Sequence, residues 1–304
     1  MSRKQRTVIS IVAMLLLSAV EIRAQDSSKR AEDLLSKARQ ALGGDAKLKA
    51  VQSLSLSATF DRVLGEMRAD GEIELDLMLP DKFKKLETMN LPMGKASVTR
   101  LEGFNGDEHF ADSKTNSGGA GGVMIFRGPA DGPDADKKRL LNALRNEFAR
   151  DLVMLLLSTS ETMPLEFSYG GEAQSDDGMA DVIDIRGSEG FAAKLFLDKQ
   201  EHRPLMMSYR AAAPQVKLMT KSIDGKDPEA KKTIEELKKN PEAGLGKPEI
   251  KEVDVQIFLS EYQEVNGVML PHKISRSVDG KPAEEWTIKK YKVNPPLRAE
   301  QFKK

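Results

Sequence analysis

The chain has 304 residues, with 47 Lys and Arg balancing 47 Asp and Glu, three His and no Cys. No basic excess points to nucleic acid, and 5% aromatic residues argue against a base-stacking surface. Without Cys there are no disulfides, thiol nucleophiles or Cys-based zinc sites, so stability must come from a buried core, which a chain this long can build.

Arg3, Lys4 and Arg6 precede a 13-residue apolar run, Val8–Val20, and Ile22-Arg23-Ala24 ends on a small residue before Gln25-Asp26. That order predicts a secretory signal peptide over residues 1–24, cleaved near Ala24. The run is shorter than the ~20 residues needed to span a bilayer. Removing it leaves 43 basic and 46 acidic residues. The expected mature protein is one exported, periplasmic domain over 25–304, because no Pro/Ser/Gly linker separates two halves.

Ala31, Leu34, Leu35, Ala38 and Leu42 fall on one helical stripe, and Gly43-Gly44 supplies its stop. Leu54, Leu56, Ala58 and Phe60 then alternate with Ser and Thr, and Ile73, Leu75, Leu77 and Leu79 repeat that period of two against acids. Further strands are predicted around 81–89 and 96–102, with a hairpin over 104–110 turning at Asn105-Gly106. Residues 114–136 break the rhythm. Gly118–Gly122 reads as a flexible loop with an apolar tip, Val123–Phe126, and Met124 and Phe126 are candidate lid residues.

A second helix is predicted from Asp136 to about Ser158, with Leu140, Leu141, Leu144, Phe148, Leu152 and Leu155 on one face. Strands resume at 179–186, 191–197 and 204–209. Residues 217–249 form a charged insertion with a helix expected over 228–239. Val253–Leu259 leads into a meander with tight turns at Asn266-Gly267 and Asp279-Gly280. The predicted fold class is α+β: a large curved antiparallel sheet of about nine to eleven strands, curling into an unclosed half-barrel covered by two main helices. Its concave face would have an oily lining.

The sequence then resembles the periplasmic outer-membrane lipoprotein-sorting superfamily of LolA/LolB-like carriers. The residues that carry this are Ala41-Leu42-Gly43-Gly44, Phe104-Asn105-Gly106, Leu195-Phe196-Leu197-Asp198 and Tyr262–Pro271 (YQEVNGVMLP), closing with Val293-Asn294-Pro295 and Phe302. The resemblance implies a half-barrel whose hydrophobic cavity takes up acyl chains without catalysis, with lipid or lipoprotein acyl chains and a membrane-associated donor or acceptor protein as partners. Cavity candidates are Leu54, Leu56, Phe60, Ile73, Leu75, Leu77, Leu144 and Phe148. Alternation alone is equally consistent with a solid core, which would make the chain a periplasmic interaction subunit. Fourteen Met residues, among them Met154 and Met206, suit an adaptable site.

Chemistry-bearing patterns are sparse. His109, His202 and His272 form no HExxH or i, i+4 pair. Gly187-Ser188-Glu189-Gly190 is one residue short of a nucleophile elbow and reads as a turn. The pairs Asp176-Asp177, Glu235-Glu236 and Glu284-Glu285 read as solvated surface in a chain that is 31% charged. No cofactor, metal site or catalytic residue is expected.

Overall fold

A computed structural model describes residues 25–90, 96–117, 121–127, 133–175, 178–212, 215–223 and 251–304. The expected signal peptide over 1–24 and the expected helix at 228–239 lie outside them. Helix α1 spans residues 25–41 and a short α2 spans Asp45–Lys49. A five-strand meander follows: β1 Ser53–Leu64, β2 Met67–Met78, β3 Lys82–Asn90, β4 Ala96–Asn105 and β5 Glu108–Ser117. Then come β6 Gly121–Arg127, the long α3 Pro133–Leu156, β7 Leu165–Ser175, β8 Gly178–Gly187, β9 Ala192–Asp198, β10 Pro204–Ala212 and β11 Gln215–Ile223. A last meander, β12 Glu252–Val265, β13 Val268–Val278 and β14 Lys281–Val293, completes the chain.

Twelve strands form one antiparallel sheet in the order β5-β4-β3-β2-β1-β14-β13-β12-β10-β9-β8-β7. The first and last strands of this sheet, β1 and β14, pair at its centre, so the two chain ends are sewn together in the middle. β5 and β7 are left as unpaired edges, and the sheet is an unclosed half-barrel. The fold is α+β, as the alternation of apolar and polar residues predicts.

The hairpin turns follow their residue chemistry. Asn266-Gly267 and Asp279-Gly280 have positive φ at both central positions, 53° and 80°, and 48° and 74°. This is the geometry that matches the twist of the flanking strands. At the β4–β5 hairpin the turn falls one residue later than expected, on Gly106-Asp107, with Asn105 facing Glu108. Tertiary contacts decide it: the Gly106 N–H donates to Asp81 O at 3.0 Å, and its carbonyl accepts Arg145 Nη2 at 3.0 Å.

Several expectations are corrected, and one strand was missed. Gly121–Arg127 is a strand rather than part of a flexible loop; β6 pairs with β11 in a separate two-stranded ribbon, Met124 opposite Leu218 and Phe126 opposite Val216. The start of the expected charged insertion is likewise strand β11. Strand β7 escapes the period of two because a bulge at Tyr169/Gly171 interrupts its alternation. On α3, Leu140 is 48% exposed, so the buried stripe starts further along, at Leu144.

The helices cover the concave face from two directions. The α1 stripe of Ala31, Leu34, Leu35, Ala38 and Leu42 is buried in the core. At its start Ser27 Oγ donates to Tyr169 O on β7 (3.1 Å), and Arg30 lies 3.7 Å over the Tyr169 ring. At its end Met269 N donates to Leu42 O (2.9 Å), which docks the helix on the β12–β13 turn. Gly43 has φ 121°, and a Cβ there would stand 2.2 Å from the Gly267 carbonyl oxygen. Two of the sequence's glycine motifs thus pack against each other, and only glycine permits that approach. Helix α3 lies over the other half and the centre; its last turn, Leu152–Leu156, and Leu157 after it are buried.

Candidate binding cavity on the concave face

Strand register sets the wall beneath α3. Pairing places Leu54, Leu77, Phe83 and Phe104 in one row across β1–β4, and Leu56, Leu75, Lys85 and Glu102 in the next. A third row runs Ala58, Ile73, Glu87 and Arg100. The first row is dry. Phe83 and Phe104 stack at 5.9 Å, and Phe148 of α3 meets them edge-on at 6.3 and 5.5 Å.

The second row is ionic. Lys85 Nζ sits 2.7 Å from Glu102 and 2.7 Å from Glu147 on α3, tying helix to sheet. Burial alone would lower the Lys85 pKa, but the two carboxylates override it and hold the ammonium above its ordinary range. Asp151, one turn after Glu147, has its carboxyl pushed up to about 8 by burial and by the Glu147 charge, against the pull of Lys85 and Arg150. At that value its carboxyl carries a proton at neutral pH.

Beyond it, Arg62 is clamped by two carboxylates. Glu87 accepts from Nη1 and Nη2 at 2.7 Å each, and Glu284 from Nε at 3.2 Å and Nη2 at 3.0 Å. Glu284 also accepts the Trp286 indole N–H. Burial would raise the Glu284 pKa; the Arg62 charge and these hydrogen bonds bring it below its ordinary range. Its side chain is only 9% exposed, so Glu284 is not the solvated surface residue the sequence implied.

Between α3 and this wall lies a cavity of about 180 Å³. Leu56, Leu75, Ile257, Ile274 and Trp286 form its sheet side, and Met154 and Leu155 its helix side. Lys85, Glu147, Arg150, Asp151, Arg276 and Glu284 complete it, so the lining is not oily throughout. Arg150 lies 4.1 Å over the Tyr209 ring at its far side. Two further depressions adjoin. An open groove of about 500 Å³ shares Arg276 and Glu284 with the cavity, and a cleft of about 330 Å³ lies between the β4–β5 turn and the β8–β9 turn near Arg145.

Of the eight sequence candidates, Leu56 and Leu75 line the cavity. Leu54, Phe60, Ile73, Leu77, Leu144 and Phe148 lie in the packed core around it. For Met124 and Phe126 only the backbone belongs to the described structure. The charged members went unread, although a signal existed. Lys85 has the same strand parity as buried Phe83 and Met89, and Asp151 adjoins the apolar Leu152. A charge on an apolar face is the trace such a site leaves in sequence.

Among the described residues no group of three His, Asp or Glu is arranged to hold a metal ion. His272 Nδ1 lies 3.1 Å from Leu270 O and its ring packs on Tyr291, a structural setting. Ser188–Gly190 is a 3-10 turn joining β8 to β9. No helix among the described residues is long and apolar enough to cross a membrane.

No family model and no curated protein matches the chain. Among solved structures it is similar to a LolA superfamily protein from Nitrosomonas europaea, with a TM-score of 0.44 and 9% identity over 90% of this chain and 97% of that one. It is also similar to a putative outer membrane lipoprotein-sorting protein domain from Vibrio parahaemolyticus, with a TM-score of 0.44 and 10% identity over 92% and 97%. A DUF1329 family protein from Desulfovibrio piger gives a TM-score of 0.43 and 10% identity over 90% and 96%. At these values the likeness carries no functional argument, and function has to be argued from the site.

Proposed function

We propose that the protein is an exported, periplasmic carrier that binds the acyl part of a lipid or lipoprotein beneath α3 and performs no chemistry on it. The observation that carries this reading is the α3-roofed cavity on the concave face of a sheet that never closes. Its walls supply both apolar and charged side chains, which suits an amphiphile. Burial of each acyl CH₂ would contribute about 0.8 kcal/mol.

At about 180 Å³ the cavity is smaller than the ~300–1,000 Å³ typical of ligand pockets, so a long chain enters only if α3 lifts. The Lys85–Glu147 pair is one of the polar contacts that must rearrange when it does, with the Arg145 hydrogen bond to the Gly106 carbonyl. Release from a membrane-associated donor and delivery to an acceptor would use the same movement. A lid role for Met124 and Phe126 belongs to this proposal, through the β6–β11 ribbon.

The chain contains a single Trp, and Trp286 lines the cavity, which provides a direct test. An acyl chain brominated near its middle should quench Trp286 emission saturably. Native mass spectrometry of protein recovered from the exported fraction should show a bound acyl species, and N-terminal sequencing should start at Gln25. Unquenched Trp286 together with a clean apo mass after incubation with lipid would remove the carrier reading and favour a solid-cored interaction subunit.

A further inference from the structure

Arg276 on β13 stands where two cavities meet. It lines both the chamber beneath α3 and the open groove outside it, together with its cross-strand neighbour Glu284. Glu284 has little left to offer it. That carboxylate already accepts two hydrogen bonds from Arg62 and one from Trp286. Arg276 Nε is buried without a hydrogen-bond partner, although the Arg276 charge helps to lower the Glu284 pKa. A buried guanidinium donor left unsatisfied is costly, so such atoms are rare in folded proteins unless something else satisfies them.

The other charges of the groove are partly spoken for. Arg62 is clamped by Glu87 and Glu284, and Glu285 pairs with Lys273 at 3.0 Å. Arg276 and the exposed Arg68 remain as donors, with Asp61 as the opposing acid on the same groove. Two apolar side chains sit on its rim, Val63 at 40% and Phe258 at 43% exposure. The groove therefore joins a guanidinium with an unpartnered Nε to apolar edges, and it shares Arg276 and Glu284 with the chamber that Trp286 lines.

We infer that Arg276 is the headgroup site of the carried amphiphile: it takes an anionic oxygen group, carboxylate or phosphate, in the outer groove while the acyl chain lies beneath α3. This rests on the carrier reading and narrows its ligand class to amphiphiles with an anionic end. The planar fork of arginine suits a two-oxygen acceptor, which a hydroxyl headgroup does not present.

The test compares a mid-chain brominated fatty acid with the fatty alcohol of the same chain, reading Trp286 quenching. The acid should bind at about tenfold lower concentration than the alcohol, the ratio expected for one charge-assisted hydrogen-bonded pair. Arg276→Met should bring the two within about twofold by weakening acid binding more than alcohol binding, and an unfolding midpoint matching that of the natural chain would show that the variant is folded. Arg276→Lys should keep part of the preference. Inorganic phosphate should displace the acid and spare the alcohol. Equal binding of acid and alcohol, unaffected by Arg276→Met, would overturn the headgroup site and leave the carrier intact. Quenching by neither would overturn both. Phosphate bound through Arg276 without any acyl binding would replace the inference with a free-anion site.

Discussion

On the concave face, the row Leu54, Leu77, Phe83 and Phe104 is separated from the row Leu56, Leu75, Lys85 and Glu102 by one step of two residues along each strand. Both rows face α3. The first receives Phe148 and is filled by three interlocked rings; the second receives Glu147, and the cavity opens beside it. One residue of helix and one pleat of sheet thus separate a dry joint from a polar chamber. The contrast assigns different work to the two ends of the contact. Ring packing is short-ranged and hard to re-form elsewhere, so the aromatic joint fixes where α3 sits. Ion pairs with some access to water can exchange partners, so the ionic row can let the helix move.

Breaking the dry row should have the largest effect. Phe148→Ala removes a fully buried ring packed against the stacked Phe83 and Phe104 and should cost about 3–5 kcal/mol in denaturant unfolding. If the loss is under 1 kcal/mol, α3 is not anchored there. Breaking the ionic row should cost somewhat less, about 3 kcal/mol for Lys85→Met, because Glu102 and Glu147 are left facing each other without their shared cation. Adding Glu102→Leu and Glu147→Leu to Lys85→Met should recover most of that stability, since a buried ion triad can be replaced by apolar packing. A triple variant no better than Lys85→Met alone would show that the triad itself holds the helix. In the triple variant acyl uptake should also change its salt dependence, a readout the aromatic joint would not move.

The two rows were not equally legible in the sequence. Strict alternation in β1 and β2 gave Leu54, Leu56, Leu75 and Leu77 as one face, and the structure puts them there because register across antiparallel strands preserves parity. The half-barrel itself followed from counting such segments and finding two amphipathic helices to cover them. The charged half of the cavity was hidden for a physical reason. Lys85 makes sense on an apolar face only once Glu102 and Glu147, 17 and 62 residues away, are brought to it by folding. Glu284 has the same history: beside Glu285 it looks like surface, until Arg62 arrives from the first strand. The β6–β11 pairing was out of reach as well, because its nearest paired positions, Arg127 and Gln215, are 88 residues apart (215 − 127) and one segment is flanked by glycines.

The smallest effect sharpens the comparison from the titration side. Asp151 lies next to the ionic row, with Glu147 and Arg150 on its own helix, Lys85 facing it from β3, and Tyr209 and Arg276 lining the same cavity. Its carboxyl is held up to about 8 by burial and by Glu147, whereas in the unfolded chain it ionises near pH 4. Between those values the folded state keeps a proton that the unfolded state releases, so this group makes stability fall as pH rises from about 4 to about 8 and has no further effect above that. Asp151→Asn keeps the shape and removes the titration. The variant should match the natural chain near pH 4 and exceed it by about 1–2 kcal/mol near pH 9, a modest figure because solvent partly reaches the site. Parallel stability curves for the two proteins across that range would mean that Asp151 ionises freely and that the chamber beneath α3 is wetter than its walls imply. A curve that flattens in the variant would instead place a neutral carboxyl between two ion pairs, where lifting α3 into water allows it to ionise. In that case raising the pH should also speed acyl exchange in the natural chain, and should leave exchange in Asp151→Asn unchanged.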